Sequence, residues 1–276
     1  MEASKISLDD YVLSGGGANG ESYDHITDPD LMLKLYFPGK IQQPFDEMML
    51  ARKVYELGVP TPEPGDYVVT DDGRYGIRFH RIPGKKSYSR ATADNPELVG
   101  QYAEEFADMC LKLHAVHVDK NKFECVKDRY YRLLTENPFF STRQKERIGQ
   151  FISDVPDSDT ALHGDLQFSN AIFSGTDRYF IDLGDFCYGY YLFDVGMVYL
   201  CCCLSDESFI EETFHMHKQL SIKFWQNFAP AYFGTDRTLR DIEEEIRPFA
   251  GLKTLIVERD TNCPMPGLRS ALTSIL

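Results

Sequence analysis

The sequence predicts an α+β chain in two parts, a small β-rich N-terminal lobe with one helix and a larger, mostly helical C-terminal lobe. Three observations predict it. Short apolar runs bounded by Gly, Pro, Asn and Asp fill about the first eighty residues. Further on, apolar residues recur at spacings of three and four. Between the two patterns the punctuation Ile82-Pro83-Gly84-Lys85-Lys86 sets a boundary, giving lobes of residues 1–82 and 83–276.

In chain order, Asp10 to Ser14 reads as a strand leading into the glycine cluster Gly15-Gly16-Gly17-Ala18-Asn19-Gly20. Ser22 to Ile26 and Leu31 to Phe37 read as strands joined by the turn Asp28-Pro29-Asp30. A helix over Phe45 to Leu57 is closed by Gly58, Pro60 and Pro62. Asp66 to Thr70 and Tyr75 to Arg81 are two more strands, turning at Asp71-Asp72-Gly73. Beyond the boundary, Tyr102, Phe106, Met109, Leu113 and His117 fall on one helical stripe, and Ile210, Phe214, His217, Ser221, Phe224 and Phe228 on another. Short apolar runs lie between them at Ala161-Leu162, Ala171 to Phe173 and Tyr179 to Ile181.

The composition excludes several classes. A chain of 276 residues with 43% hydrophobic and 26% charged residues is an ordinary globular protein, neither disordered nor fibrous. Its formal charge of −14 opposes nucleic-acid backbones and anionic lipid, and no basic patch offsets it. The most apolar stretch, Tyr188 to Leu204, is broken by Asp194, so no membrane span is expected. The N-terminus lacks a secretory layout. Seven cysteines without a CxxC pair read as buried thiols in a reducing compartment, which points to the cytoplasm.

Four features carry chemistry. Gly15-x-Gly17-x-x-Gly20 matches a dinucleotide fingerprint, but strands follow it where that fold needs a helix. A glycine hairpin fits better, either folding over phosphates with its N–H groups or standing empty. Lys34 sits in the apolar strand Leu31 to Tyr36, on one face with Met32 and Tyr36. Glu47 shares a stripe with Leu50, Val54 and Leu57. Two opposite charges on core-facing positions pair, unless Lys34 snorkels to solvent and Glu47 lies at the helix edge. His163-Gly164-Asp165-Leu166-Gln167-Phe168-Ser169-Asn170, followed by Ile181-Asp182-Leu183-Gly184-Asp185, groups two carboxylates and a carboxamide. That set suits magnesium and leaves Asp165 to accept a proton, against the alternative of two Asx-stabilised turns. His114 and His117 lack carboxylate partners at metal-site spacing, and the acidic groups near 206, 211 and 243 read as solvated faces or as the wall of a cationic acceptor site.

HGDxxxxN followed by IDxGD resembles the signature of the aminoglycoside phosphotransferase and choline kinase superfamily, whose fold is similar to that of protein kinases. The glycine hairpin, the strand lysine, the helix glutamate, Tyr55 to Pro62 and Leu113 to His117 extend the resemblance over residues 11–200. It implies a bilobal protein-kinase-like fold and ATP-dependent phosphoryl transfer to a small-molecule acceptor. Asp165 would be the catalytic base, with Asn170 and Asp182 holding Mg2+. Lys34, fixed by Glu47, would contact the nucleotide phosphates. Gly15, Gly16, Gly17, Asn19, Gly20 and Ser22 would cover them, and Phe79, His80, Arg81 and Ile82 would form the adenine hinge. His163 and Asp185 would support the loop, and Asp194 would cap the helix that follows.

No lysine stands two residues after Asp165 and no APE-type segment follows Asp182, so the acceptor is expected to be a small molecule such as an aminoglycoside, choline, ethanolamine or a sugar. The expected assembly is a monomer or weak dimer. The rival readings are a catalytically idle nucleotide-binding module on the same fold and a dinucleotide oxidoreductase with a helix after Gly20.

Overall fold

A computed structural model describes residues 2–17 and 19–276. Ala18, in the expected glycine turn, lies outside the described residues. The chain forms two compact units: one runs up to Lys86 and takes in Ile172–Gly184, and the other comprises Ser87–Ala171 and Asp185–Leu276.

The first unit is built on β1 (Ser4–Ile6), β2 (Tyr11–Gly16), β3 (Gly20–His25), β4 (Leu31–Tyr36), α1 (Gln42–Glu56), β5 (Pro64–Thr70) and β6 (Tyr75–His80). Its strands form one sheet in the order β1-β5-β6-β4-β3-β2, with β1 parallel to β5 and the remaining pairs antiparallel. The short β1 carries too little pattern to be legible in sequence. Leu33 and Leu35 of β4 bury against Ile6, Tyr11, Tyr23 and Val68 on one face. Tyr36 packs with Met48 of α1, Tyr67 and Ile77 on the other. The alternation thus puts Lys34 on the helix-covered face with Tyr36. Gly58, at φ +83°, ends α1 where an L side chain would be strained. A hairpin of Ala171–Ser174 and Asp177–Phe180 is tied to this unit by the Phe180 N–H, 2.8 Å from the Pro60 carbonyl, and the Ser174 hydroxyl, 2.6 Å from that of Pro83.

β3 follows the glycine cluster directly, which removes the dinucleotide-binding alternative.

The second unit is helical: α2 (Tyr88–Asp94), α3 (Val99–His114), α4 (Val126–Glu136), α5 (Thr142–Asp154), α6 (Leu192–Tyr199), α7 (Glu207–Phe214), α8 (Lys218–Phe233), α9 (Leu239–Leu252) and α10 (Thr254–Thr261). α3 packs along α8, and α6 along α9. Phe106 of α3 meets Phe228 of α8 at 5.5 Å between ring centres. Two helical stripes are shorter than expected. α3 ends at His114, so His117 stands exposed beyond it and bridges to Thr160. The second stripe spans two helices, because His215 turns left-handed at φ +59° and α8 restarts after His217. The Cys201-Cys202-Cys203 run lies in a π-helical turn, Leu200–Leu204. All seven cysteines are free, but Cys263 is exposed and Cys125 and Cys203 only half-buried, so the expectation of buried thiols holds for the other four. No helix among the described residues is long and apolar enough to cross a membrane.

A Cβ added at Gly20 would stand 2.2 Å from the Leu35 carbonyl oxygen, whereas one at Gly16 meets nothing within 4 Å. Gly20→Ala should therefore cost about 1–3 kcal/mol of unfolding free energy, and Gly16→Ala should stay within about 0.5 kcal/mol of the parent. Urea titration of both variants checks the contrast.

Candidate active site

In the first unit the charged groups converge as their faces require. The Lys34 ammonium lies 2.6 Å from Glu47 Oε1 and 2.6 Å from Asp182 Oδ1. The other Glu47 oxygen accepts a hydrogen bond from the Tyr36 hydroxyl. Burial would push the Lys34 ammonium down, but the charges of Asp182 and Glu47 and the bonds to both hold it above the ordinary lysine range. Burial and the Glu47 carboxylate push the Tyr36 phenol far up, so it stays a donor. Asp182 adopts φ +62°, a left-handed turn that aspartate tolerates, and this turn directs its carboxylate to Lys34. Gly184 leaves room for Glu47, whose Oε2 would lie 3.2 Å from a Cβ there. The pairing of Lys34 with Glu47 is the one the strand and helix patterns anticipate; the bond to Asp182 is new.

In the second unit, His163 to Asn170 is anchored residue by residue. Leu166 and Phe168 are fully buried, Phe168 stacking on Phe224 at 4.8 Å, while Asp165, Gln167 and Ser169 alternate outward. Asn170 donates from Nδ2 to the Asp165 carbonyl and to Asp165 Oδ2, both at 3.0 Å. Gln167 Nε2 donates to the same Oδ2 at 3.1 Å. Two carboxamides therefore orient the aspartate. The Asn170 carboxamide oxygen is a hard oxygen donor of the kind magnesium takes, as is the Asp182 carboxylate in the first unit.

Asp194 departs from the expected helix cap. It lies inside α6, fully buried, and accepts the His163 N–H at 2.6 Å on Oδ2 and the Gly164 N–H at 2.9 Å on Oδ1. His114 Nε2 is 3.3 Å away, its Nδ1 meeting the Tyr232 hydroxyl at 2.6 Å. Burial would raise the Asp194 carboxyl, but the His114 hydrogen bond and the charges of His114, His163 and Lys253 hold it below the ordinary carboxylate range. Gly164 sits at φ +83°, and a Cβ there would fall 1.9 Å from the Asp185 carbonyl oxygen, so only glycine fits. That carbonyl also accepts from Arg129 at 2.8 Å, while the Asp185 side chain is exposed.

Elsewhere, the His80 and Arg81 amides of the expected hinge already donate to the Glu63 and Asp30 carbonyls at 2.9 and 2.8 Å. In the hairpin, Gly17 N–H closes onto the Gly20 carbonyl at 2.9 Å, Asn19 O accepts from Phe37, and Ser22 O from Ser14. His117 pairs with Asp159 at the surface. Glu243 accepts from Trp225, and Glu244 and Glu245 pair with Arg240 and Arg237.

The model of the phosphotransferase enzyme family matches residues 12–218. The chain belongs to that family. No curated protein matches the sequence. Among solved structures, it is similar to amicoumacin kinase hAmiN in complex with AMP-PNP, Ca2+ and Ami (13% identity, 99% of this chain and 88% of that one, TM-score 0.58). It is similar also to a choline/ethanolamine kinase family protein from Mesorhizobium loti (16% identity, 96% and 84%, TM-score 0.54). A third is a thermostable mutant of aminoglycoside phosphotransferase APH(4)-Ia in a ternary complex with AMP-PNP and hygromycin B (13% identity, 95% and 90%, TM-score 0.62). The fold of this phosphotransferase is thus kinase-like.

Sequence reasoning missed Lys253, which reaches the Gly164 carbonyl from 89 positions away, and Gln167 as a partner of Asp165. A lysine in the apolar run Phe249 to Ile256 was the available signal.

Replacing Asp194 by Asn leaves the loop amides facing a neutral amide and should cost about 3–5 kcal/mol of stability. Because the Asp194 carboxyl titrates lower in the folded chain than its ordinary value of 3.8, the unfolded chain binds the proton more readily. The stability it supplies is full above that value and is lost as pH falls through the depressed one. Urea titrations across acidic pH should show the gap between parent and Asp194→Asn narrowing over that window.

Proposed function

We propose that this phosphotransferase moves the γ-phosphoryl group of ATP to a hydroxyl of a small-molecule acceptor, with Asp165 as the base. The observation that carries the reading is the Asp165 carboxylate, oriented by Asn170 and Gln167 in a loop whose amides are held by a buried charge. The acceptor oxygen forms its bond to the γ-phosphorus as the bond to the ADP oxygen breaks, and the hydroxyl proton passes to Asp165. Lys34, held by Glu47, grips the α- and β-phosphates, and the glycine hairpin covers them. The backbone from Phe79 to Ile82 forms the adenine hinge, with the His80 and Arg81 amides committed within the sheet unit. Asn170 and Asp182 would hold magnesium, which when bound would neutralise phosphate charge. Positioning and charge neutralisation supply most of the rate, with little covalent work for the protein.

AMP-PNP in the complexes of the similar amicoumacin kinase and APH(4)-Ia supports ATP as donor. The missing lysine after Asp165 supports a small acceptor. The formal charge of −14 favours a cationic one, within the range of aminoglycosides and amino alcohols.

ADP release from magnesium-ATP across a panel of aminoglycosides, choline, ethanolamine and sugars tests the reading. Asp165→Ala should lower turnover at least about a hundredfold while AMP-PNP affinity by calorimetry is retained. Undiminished turnover in that variant removes Asp165 as base, and no acceptor-dependent ADP release from the parent favours an idle nucleotide-binding module.

A further inference from the structure

Lys253 stands between α9 and α10, outside residues 12–218 of the family match, and is only 5% exposed. Its ammonium donates to the Gly164 carbonyl at 2.6 Å. A lysine is seldom buried without a partner, and packing alone would be served by methionine with no charge to desolvate. The groups around it have one sense. Asp165, Asp194 and Asp185 bring negative charge, and the buried Tyr130 phenol of α4 faces the ammonium. Although burial would lower it, these groups raise the ammonium to about 12, so it is charged at any ordinary pH.

Gly164 is consequently held at both ends. Its N–H goes to the Asp194 carboxylate and its C=O to the Lys253 ammonium. Asp194 lies in α6 and Lys253 directly follows α9, and these two helices are tightly joined: a Cβ at Gly196 of α6 would come within 2.9 Å of the Ala250 nitrogen of α9. The Gly164 carbonyl lies in the same peptide plane as the Asp165 nitrogen, so turning that plane turns the aspartate.

We infer that Lys253 is a positioning residue for the phosphoryl transfer, fixing the Gly164–Asp165 peptide and with it the aim of the Asp165 carboxylate. The inference rests on the reading of Asp165 as the base. It makes Lys253 part of the catalytic frame, beyond the span of the family match at residues 12–218.

Steady-state ADP release from magnesium-ATP, with the best acceptor of the panel or with water alone, tests it in the full chain. Lys253→Met should lose about a hundredfold in kcat with both KM values within about threefold of the parent. Lys253→Arg, which keeps a charged donor, should recover most of that loss. Glu258→Gln disturbs a different buried pair, with Arg269, and should lose stability with kcat unchanged. Should Lys253→Met not fold, Lys253→Gln carries the test with a loss of at least about tenfold in kcat. A kcat within about threefold of the parent, a loss expressed in KM, or an arginine variant no better than the methionine one overturns the inference. Asp165→Asn measured alongside separates the two readings: full turnover there removes the base itself, whereas turnover lost there but kept in Lys253→Met removes only the role of Lys253.

Discussion

The local geometry of the second unit depends on how one glycine is held. Gly164 must adopt a left-handed backbone with no Cβ, because the Asp185 carbonyl occupies the space a side chain would need. Such a conformation has no side chain to anchor it, so the anchoring falls to its peptide groups. A buried carboxylate takes the N–H and a buried ammonium takes the carbonyl. Neither charge could be kept in an apolar interior alone; with hydrogen-bonded partners both persist, and the loop inherits their rigidity.

The first unit solves a similar problem. Lys34 sits on a strand face covered by a helix, and its charge is met by Glu47 and Asp182, with the Tyr36 phenol satisfying the remaining glutamate oxygen. In a chain with a formal charge of −14, anionic phosphates are disfavoured by the global field. The Lys34 ammonium, its burial offset by two carboxylates, stays charged within that field.

Much of this was legible in the sequence where local pattern and chemistry coincide. Period-two alternation put Lys34 beside Tyr36, helical spacing put Glu47 inward, and turn residues bounded β3, β4, β5 and β6 closely. The rest fails for identifiable reasons. The stripe from Ile210 to Phe228 keeps helical spacing across a break, because a single left-handed His215 interrupts the chain without disturbing the apolar period. Asp194 looks like a helix cap when only its neighbours are read, yet its partners are the amides of His163 and Gly164, about thirty positions away. Lys253 is further still from the loop it touches. Pairings of that kind are set by tertiary packing, and no spacing rule encodes them.

The most direct test is a double-mutant cycle in kcat between Asp165→Asn and Lys253→Met. If the grip on Gly164 acts through the aspartate, the lysine change has no further effect once Asp165 is already Asn, and the two losses fail to multiply. Losses that multiply fully would show that Lys253 acts on something other than the aim of Asp165, and would contradict the account.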